Sequence, residues 1–321
     1  MKTITKSLII LSGAAAVGCL SAYLTTKCLV DTALDRQIPR IMKRSGKMIS
    51  GSKSKPNDKY HELRRKAEES FKQTESLCET VSIRAADNEL LVGHLFQNEN
   101  PKRLIIAVHG WRSSPMHDFA LVSDFWRREG CSILFIEQRG QGESGGEYIG
   151  FGLTERYDCK AWAEWAALRF DLPIYLSGVS MGAATVLMAS DLELPDKVKG
   201  IIADCGFTSP DAIWKYVVKN NLHLGFRLRG VIANSICKQK LGVGSKSCRT
   251  TDSLKRAKVP VLFIHGSDDR FVPVTMTYEN YKACASEKRL LIVPGAGHGM
   301  SCYVDPDGYE KAVMEFWKEF N

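Results

Sequence analysis

One serine in this chain stands in a local sequence that could make it a nucleophile. The short apolar run Pro173–Leu176 leads into Gly178-Val179-Ser180-Met181-Gly182, and a helix-like stretch follows. A strand, a sharp turn and a helix in that order push a serine hydroxyl out at the edge of a sheet. Glycines two before and two after the serine remove side chains that would collide in so tight a turn. The turn also sets the serine at a helix N-terminus, where amide groups and the dipole favour developing negative charge.

A serine hydroxyl at its ordinary pKa is a poor nucleophile. It needs a base, and the base needs an orienting carboxylate. Both residue types occur downstream in loops that end apolar runs. Val259–Ile264 is followed by His265-Gly266-Ser267-Asp268-Asp269-Arg270-Phe271-Val272-Pro273, and Arg289–Val293 by Pro294-Gly295-Ala296-Gly297-His298-Gly299. The chain order Ser, Asp, His is the one expected for this architecture. Spacing alone leaves Asp268 and Asp269 as rivals. Acyl transfer also needs amide donors for an oxyanion. The run Arg103–Val108 ends in His109-Gly110-Trp111, so the Trp111 amide could face the serine, joined by that of Met181. His109 reads as a residue that stabilises its turn rather than as a base.

These loops imply a frame that brings them together. From about residue 78, apolar runs alternate with amphipathic stretches of helix length. Thr80–Ala85 and Glu89–Phe96 come first; Arg103–Val108, Ser132–Glu137, Pro173–Leu176, Val198–Ala203, Val259–Ile264 and Arg289–Val293 follow. Buried strands alternating with helices predict an α/β fold with a mostly parallel, doubly wound sheet covered on both faces. Ligands of such sheets bind beyond the strands' carboxyl ends, where all the residues above lie. Residues 207–257 carry no strand signal and predict a helical cap insertion. Its Trp214, Tyr216, Leu222, Leu224 and Phe226 either pack the cap or line an acyl pocket.

The ordered motifs resemble the α/β-hydrolase superfamily over Val81 to Phe320, and in detail its bacterial membrane-anchored members described as serine-aminopeptidase-like or lysophospholipase-like. They are His109-Gly110, Glu137-Gln138-Arg139-Gly140-Gln141-Gly142-Glu143-Ser144, Gly178–Gly182, Gly266…Asp269…Val272-Pro273 and Gly297-His298. The resemblance implies Ser180 as nucleophile, Asp269 as acid through the spacing Gly-x-x-Asp-x-x-Val-Pro, and His298 as base. It implies no cofactor. Glu137 and Gln141 depart from the Asp and His common at those positions. The single glycine at Gly110 resembles the oxyanion type tied to small or medium acyl groups.

Net charge is +8, from 44 lysines and arginines against 36 acids. Residues 1–75 hold 15 basic and 7 acidic side chains, leaving 29 of each in residues 76–321. That neutral bulk argues against a nucleic-acid partner. Ser7–Thr26 is free of charge, and twenty such residues suffice for a transmembrane helix, with a cleaved signal peptide as the alternative reading. Two lysines precede it; Lys27, Arg36, Arg40, Lys43, Arg44 and Lys47 follow, which favours a cytoplasmic catalytic domain. Ten cysteines without metal-binding spacing read as free thiols in a reducing compartment, with no metal site. The expected organisation is a membrane anchor at 1–26, a basic juxtamembrane linker and lead-in helix at 27–77 (linker-like over 45–59), and the hydrolase domain at 78–321. The expected function is a single-pass, membrane-anchored serine hydrolase of esters or thioesters with a small-molecule or lipid acyl substrate. A serine aminopeptidase and a non-catalytic membrane-tethered binding module are the alternatives. The cap weighs against the first of these, because Asp211 and Asp252 are its only acids among ten basic residues. An unaltered Ser–Asp–His set weighs against the second.

Overall fold

A computed structural model of the chain describes residues 2–38 and 59–321, with the helical backbone alone for residues 2–17. Eight strands form one sheet: β1 (Glu79–Arg84), β2 (Leu90–Phe96), β3 (Arg103–Val108), β4 (Cys131–Ile136), β5 (Ile174–Val179), β6 (Val198–Asp204), β7 (Val261–Gly266) and β8 (Lys288–Val293). Their order is β1-β2-β4-β3-β5-β6-β7-β8. The β1–β2 and β2–β4 pairs are antiparallel, and every other pair is parallel. The chain reverses its direction of winding between β3 and β5. A crevice opens at such a switch point, and the loops that follow these two strands carry Trp111 and Ser180.

The central strands are buried on both faces, as their unbroken apolar runs require. One face packs on α4 (Glu155–Arg169) and α5 (Met181–Ala189) through residues such as Trp162, Val186 and Leu187. The other packs on α2 (His61–Ser76), α3 (Pro115–Arg128) and α11 (Pro306–Glu319) through Phe71, Phe119, Trp126 and Phe316. Each large apolar side chain buried in this way contributes about 1.5–3 kcal/mol relative to exposure. The remaining helices of the sheet layers are α9 (Val274–Ala283) and the short α10 (Ser301–Val304).

The stretch predicted as a cap is helical and free of strands. It comprises α6 (Pro210–Tyr216), a π-helical turn (Val217–Asn221), α7 (Arg227–Leu241) and α8 (Thr250–Leu254). Trp214 and Tyr216 pack into a third apolar cluster with Phe151, Phe207, Ile213 and Met181, whereas Leu224 is exposed.

The N-terminal region differs from a simple anchor and linker. A continuous helix, α1, spans Lys2–Leu34, and its carboxyl half lies along α7. Ala22, Thr26, Val30 and Leu34 are buried. Their i, i+4 spacing makes one face of the helix. The last turns of the charge-free run 7–26 therefore touch protein. Lys27, expected in the linker, is inside the helix and pairs with Asp31 at 2.6 Å. Among the described residues no helix is long and apolar enough to cross a membrane. The side chains of residues 7–17 and the whole segment 39–58, with Arg40, Lys43, Arg44, Lys47 and most of the 45–59 linker, lie outside the described residues.

Candidate active site

Ser180 follows β5 with φ 56° and ψ −113°. This is left-handed backbone that a non-glycine residue holds only under constraint. The constraint is visible in its neighbours. A Cβ on Gly182 would lie 1.8 Å from the Val108 carbonyl oxygen, and one on Gly178 would lie 2.4 Å from Gly182. The two glycines thus let the turn close against β3 and against itself. The Ser180 amide donates to the Asp204 carbonyl at 2.9 Å, which fixes the turn to β6.

The Ser180 hydroxyl lies 2.9 Å from His298 Nε2, and His298 Nδ1 lies 2.6 Å from Asp269 Oδ2. Residues 180, 269 and 298, far apart in sequence, thus form one hydrogen-bonded chain. Ser180 and Asp269 are nearly buried, whereas the His298 side chain is 27% exposed, so a ligand can approach from the imidazole side. Phe271 packs on the His298 ring at 5.1 Å between centroids.

The structure separates the two rival aspartates. Asp268 is exposed and accepts from Ser267 Oγ. Asp269 Oδ1 accepts from the Phe271 and Val272 amides at 2.8 and 2.9 Å, and its Oδ2 faces both His298 and His265. Four donors occupy the carboxylate. Burial opposes its charge, yet the hydrogen bonds from His265, His298 and the Val272 amide hold its pKa well below the usual carboxylate range.

His265 is a residue that sequence reasoning passed over as an ordinary strand histidine. It is fully buried, 3.1 Å from Asp269 Oδ2 and 2.9 Å from the Val272 carbonyl through Nε2, and 2.6 Å from Thr277 Oγ1 through Nδ1. Two acceptors at Nε2 place the proton there, with the Thr277 hydroxyl donating to Nδ1. Its placement four residues before Asp269, at the end of a buried strand, was the available signal.

Trp111, in the loop after β3, packs against the apolar cluster that holds Met181, the residue after Ser180. The Gly110 amide is taken by Asp118 Oδ2 at 2.6 Å, while the Trp111 amide has no acceptor among the described residues. Met181 is the first residue of α5, so its amide precedes the intrahelical ladder. His109 is turned away: its Nδ1 donates to the Gly110 carbonyl at 2.8 Å, its Nε2 accepts from the Gln138 amide, and burial lowers its pKa. Arg139 braces its loop through Asp158 and Asp87. Gln141, one of the two departures from the resemblance, accepts the Arg112 amide at 2.6 Å.

Cys205 Sγ, Asp269 and His298 offer ligand atoms within 4.8 Å of one another. A cation there would compete with the four donors already on Asp269, and burial pushes the Cys205 thiol pKa up, against thiolate ligation. The ten cysteines are free.

Residues 99–239 match the family described as serine aminopeptidase, S33. The protein YqkD of Bacillus subtilis is 27% identical over 255 residues, 79% of this chain and 83% of its own. Protein bem46 of Schizosaccharomyces pombe is 24% identical, covering 75% of this chain and 77% of its own. Among solved structures, an esterase of Pyrococcus furiosus superposes with a TM-score of 0.61 at 24% identity, covering 76% of this chain and 91% of the esterase. Est1E of Butyrivibrio proteoclasticus, solved with ferulic acid, gives 0.58 at 21%, covering 75% and 98%. The resemblance to the α/β-hydrolase superfamily drawn from the sequence motifs therefore holds in the family match over residues 99–239 and in the fold.

Proposed function

We propose, with the α/β-hydrolase fold as premise, that this chain is a serine hydrolase of carboxylic esters or thioesters acting through an acyl-enzyme. The observation that carries this is the continuous chain from Ser180 Oγ through His298 to Asp269, at 2.9 and 2.6 Å. Ser180 Oγ bonds to the acyl carbon as its proton passes to His298 Nε2. The carbonyl oxygen takes the negative charge and faces the Trp111 and Met181 amides. Collapse breaks the bond to the leaving group, which takes the proton from His298 Nε2. Water then repeats both steps on the acyl-serine and releases the acid. Asp269 keeps the imidazole proton on Nδ1 and offsets the charge of the imidazolium.

Esters are favoured over aminoacyl substrates by the cap. Asp252 is paired with Lys255 at 3.1 Å and Asp211 faces Lys246 at 4.0 Å, so neither acid is left to receive a substrate ammonium. A small-molecule or lipid acyl group is the substrate class, and no cofactor takes part. The charge-free run 7–26, up to the point where Ala22 and Thr26 turn into the protein, is the segment that meets a membrane, with the catalytic domain on the cytoplasmic side. The six basic residues after that run support this orientation.

Hydrolysis of p-nitrophenyl esters by the full chain, beside Ser180→Ala, tests the reading. The expected result is turnover by the parent and none by the variant, with fluorophosphonate labelling only the parent. Equal turnover by both proteins overturns it. Faster cleavage of aminoacyl amides than of esters would transfer the chemistry to the peptidase class.

A further inference from the structure

Helix α1 meets the catalytic loops at its carboxyl end. The Trp111 indole Nε1 donates to the Ala33 carbonyl at 2.8 Å. The Arg112 guanidinium donates to the carbonyls of Thr32 at 2.9 Å, Arg36 at 3.1 Å and Asp35. Carbonyls at the end of a helix have no intrahelical donor, and a cation is favoured there. One planar fork satisfies the Thr32 carbonyl in the last turn and the Asp35 and Arg36 carbonyls just beyond it, which a lysine ammonium cannot reproduce.

The same residue is fixed through its backbone. Arg112 has φ 49° and its amide is held by Gln141 Oε1. On the other side of Trp111, the Gly110 amide is held by Asp118. The Trp111 peptide is thus suspended between two anchored residues, one of them tied to α1. Around this point Arg36 donates to the Gly142 and Ser144 carbonyls at 2.6 Å each, and Lys240 of α7 pairs with Asp31 at 2.9 Å and with Asp35.

We infer that Arg112 is a positioning residue: by capping the end of α1 it holds the Trp111 amide toward Ser180, so that the seating of α1 sets the rate of the chemical step. This rests on the reading of Trp111 as an oxyanion donor. It makes the carboxyl end of the N-terminal helix part of the catalytic unit. It also gives whatever holds residues 7–26 a mechanical route to turnover, since those residues belong to the same helix.

Removing one oxyanion donor lowers kcat by about 10²–10³-fold; displacing one that is still present costs less. In the full chain, Arg112→Ala is expected to lower kcat roughly 10- to 30-fold with KM within about two-fold, since the interaction acts on the transition state. Arg112→Lys recovers part of that loss. Trp111→Phe keeps the backbone amide and the ring packing, loses only the bond to Ala33, and costs roughly three-fold. Rates are taken per titrated active site, so loss of folded protein does not count. Wild-type kcat in folded Arg112→Ala overturns the inference. Where that variant does not fold, Trp111→Phe decides: wild-type kcat overturns the clamp, and a drop with KM unchanged upholds it. Ser180→Ala in the same assay separates the two levels. Turnover by it defeats the proposed chemistry, whereas its inactivity beside fully active Arg112 and Trp111 variants defeats the clamp alone.

Discussion

Two regions meet at Ser180 and are held there in different ways. The carboxyl edge of the sheet positions Ser180, Asp269 and His298 by main-chain geometry. Strand pairing sets the strand ends, glycines close the turns, and the Asp269 carboxylate is gripped by two amides and two imidazoles. Helix α1 is held by one buried face and a few long side chains, chiefly Arg112, Arg36 and Lys240. The first arrangement changes only if the sheet changes. The second rests on side chains rather than on strand pairing. On the proposed chemistry, the first holds the reacting groups and the second is where α1 would tune them.

The largest expected effect tests the rigid side. Ser180→Ala should lower kcat by about 10⁵-fold or more, because the triad acts as a unit, while the melting temperature stays close to that of the parent. Next, Asp269→Asn should cost roughly 10³- to 10⁴-fold by favouring the wrong imidazole tautomer, with Asp268→Asn within about two-fold. Comparable losses from both would erase the distinction drawn from their hydrogen bonds.

Asp204 offers a test by pH. Burial at the end of β6 raises its pKa to about 6, with Ser301 Oγ donating to Oδ1 at 3.0 Å. A folded-state value above the unfolded one means that the folded protein binds the proton more tightly. The cost of ionising Asp204 is absent at low pH, grows between about pH 4 and 6, and is constant above that. Asp204→Asn keeps the acceptor for Ser301. It should stabilise the protein at pH 8 by up to about 3 kcal/mol and leave it unchanged at pH 4. Chemical denaturation at the two pH values measures this, and an equal gain at both would assign it to packing.

The smallest effect probes the α1 side. Lys240→Ala removes the pair with Asp31 and Asp35 and should cost about 1 kcal/mol, near 2 °C in melting temperature for a chain of this size. High salt should shrink the difference. A loss several times larger would mean that α1 is as integral to the fold as a strand.

The sheet and the loops that bring Ser180, Asp269 and His298 together were legible in the sequence because they depend on local pattern. The run Arg103–Val108 was read with the bounds of the observed β3, and each of the other seven strands lies within three residues of its predicted bounds. The choice of Asp269 over Asp268 needed the family spacing, since two adjacent aspartates look alike until amides select between them. The docking of α1 was not legible. Its charge-free run carries the signature of a membrane segment, and the buried face Ala22, Thr26, Val30, Leu34 is indistinguishable from that segment by hydropathy alone. Arg112 shows nothing by type or spacing, because its partners are backbone carbonyls about 80 residues upstream. Main-chain acceptors leave no trace in a sequence. His265 was hidden for another reason: a buried histidine on a strand is ordinary until its four-residue offset from the acid is noticed.

The pins on α1 also impose an order on assembly. Helix α1 is synthesised before its partners, which are Trp111 and Arg112, then the carbonyls at Gly142 and Ser144, and finally Lys240. Lys240 follows Asp35 by 205 residues, all of which must be made before that pair can form. Contacts so distant in sequence are slow to close. The seating of α1 is therefore complete only after the cap helix α7 has emerged.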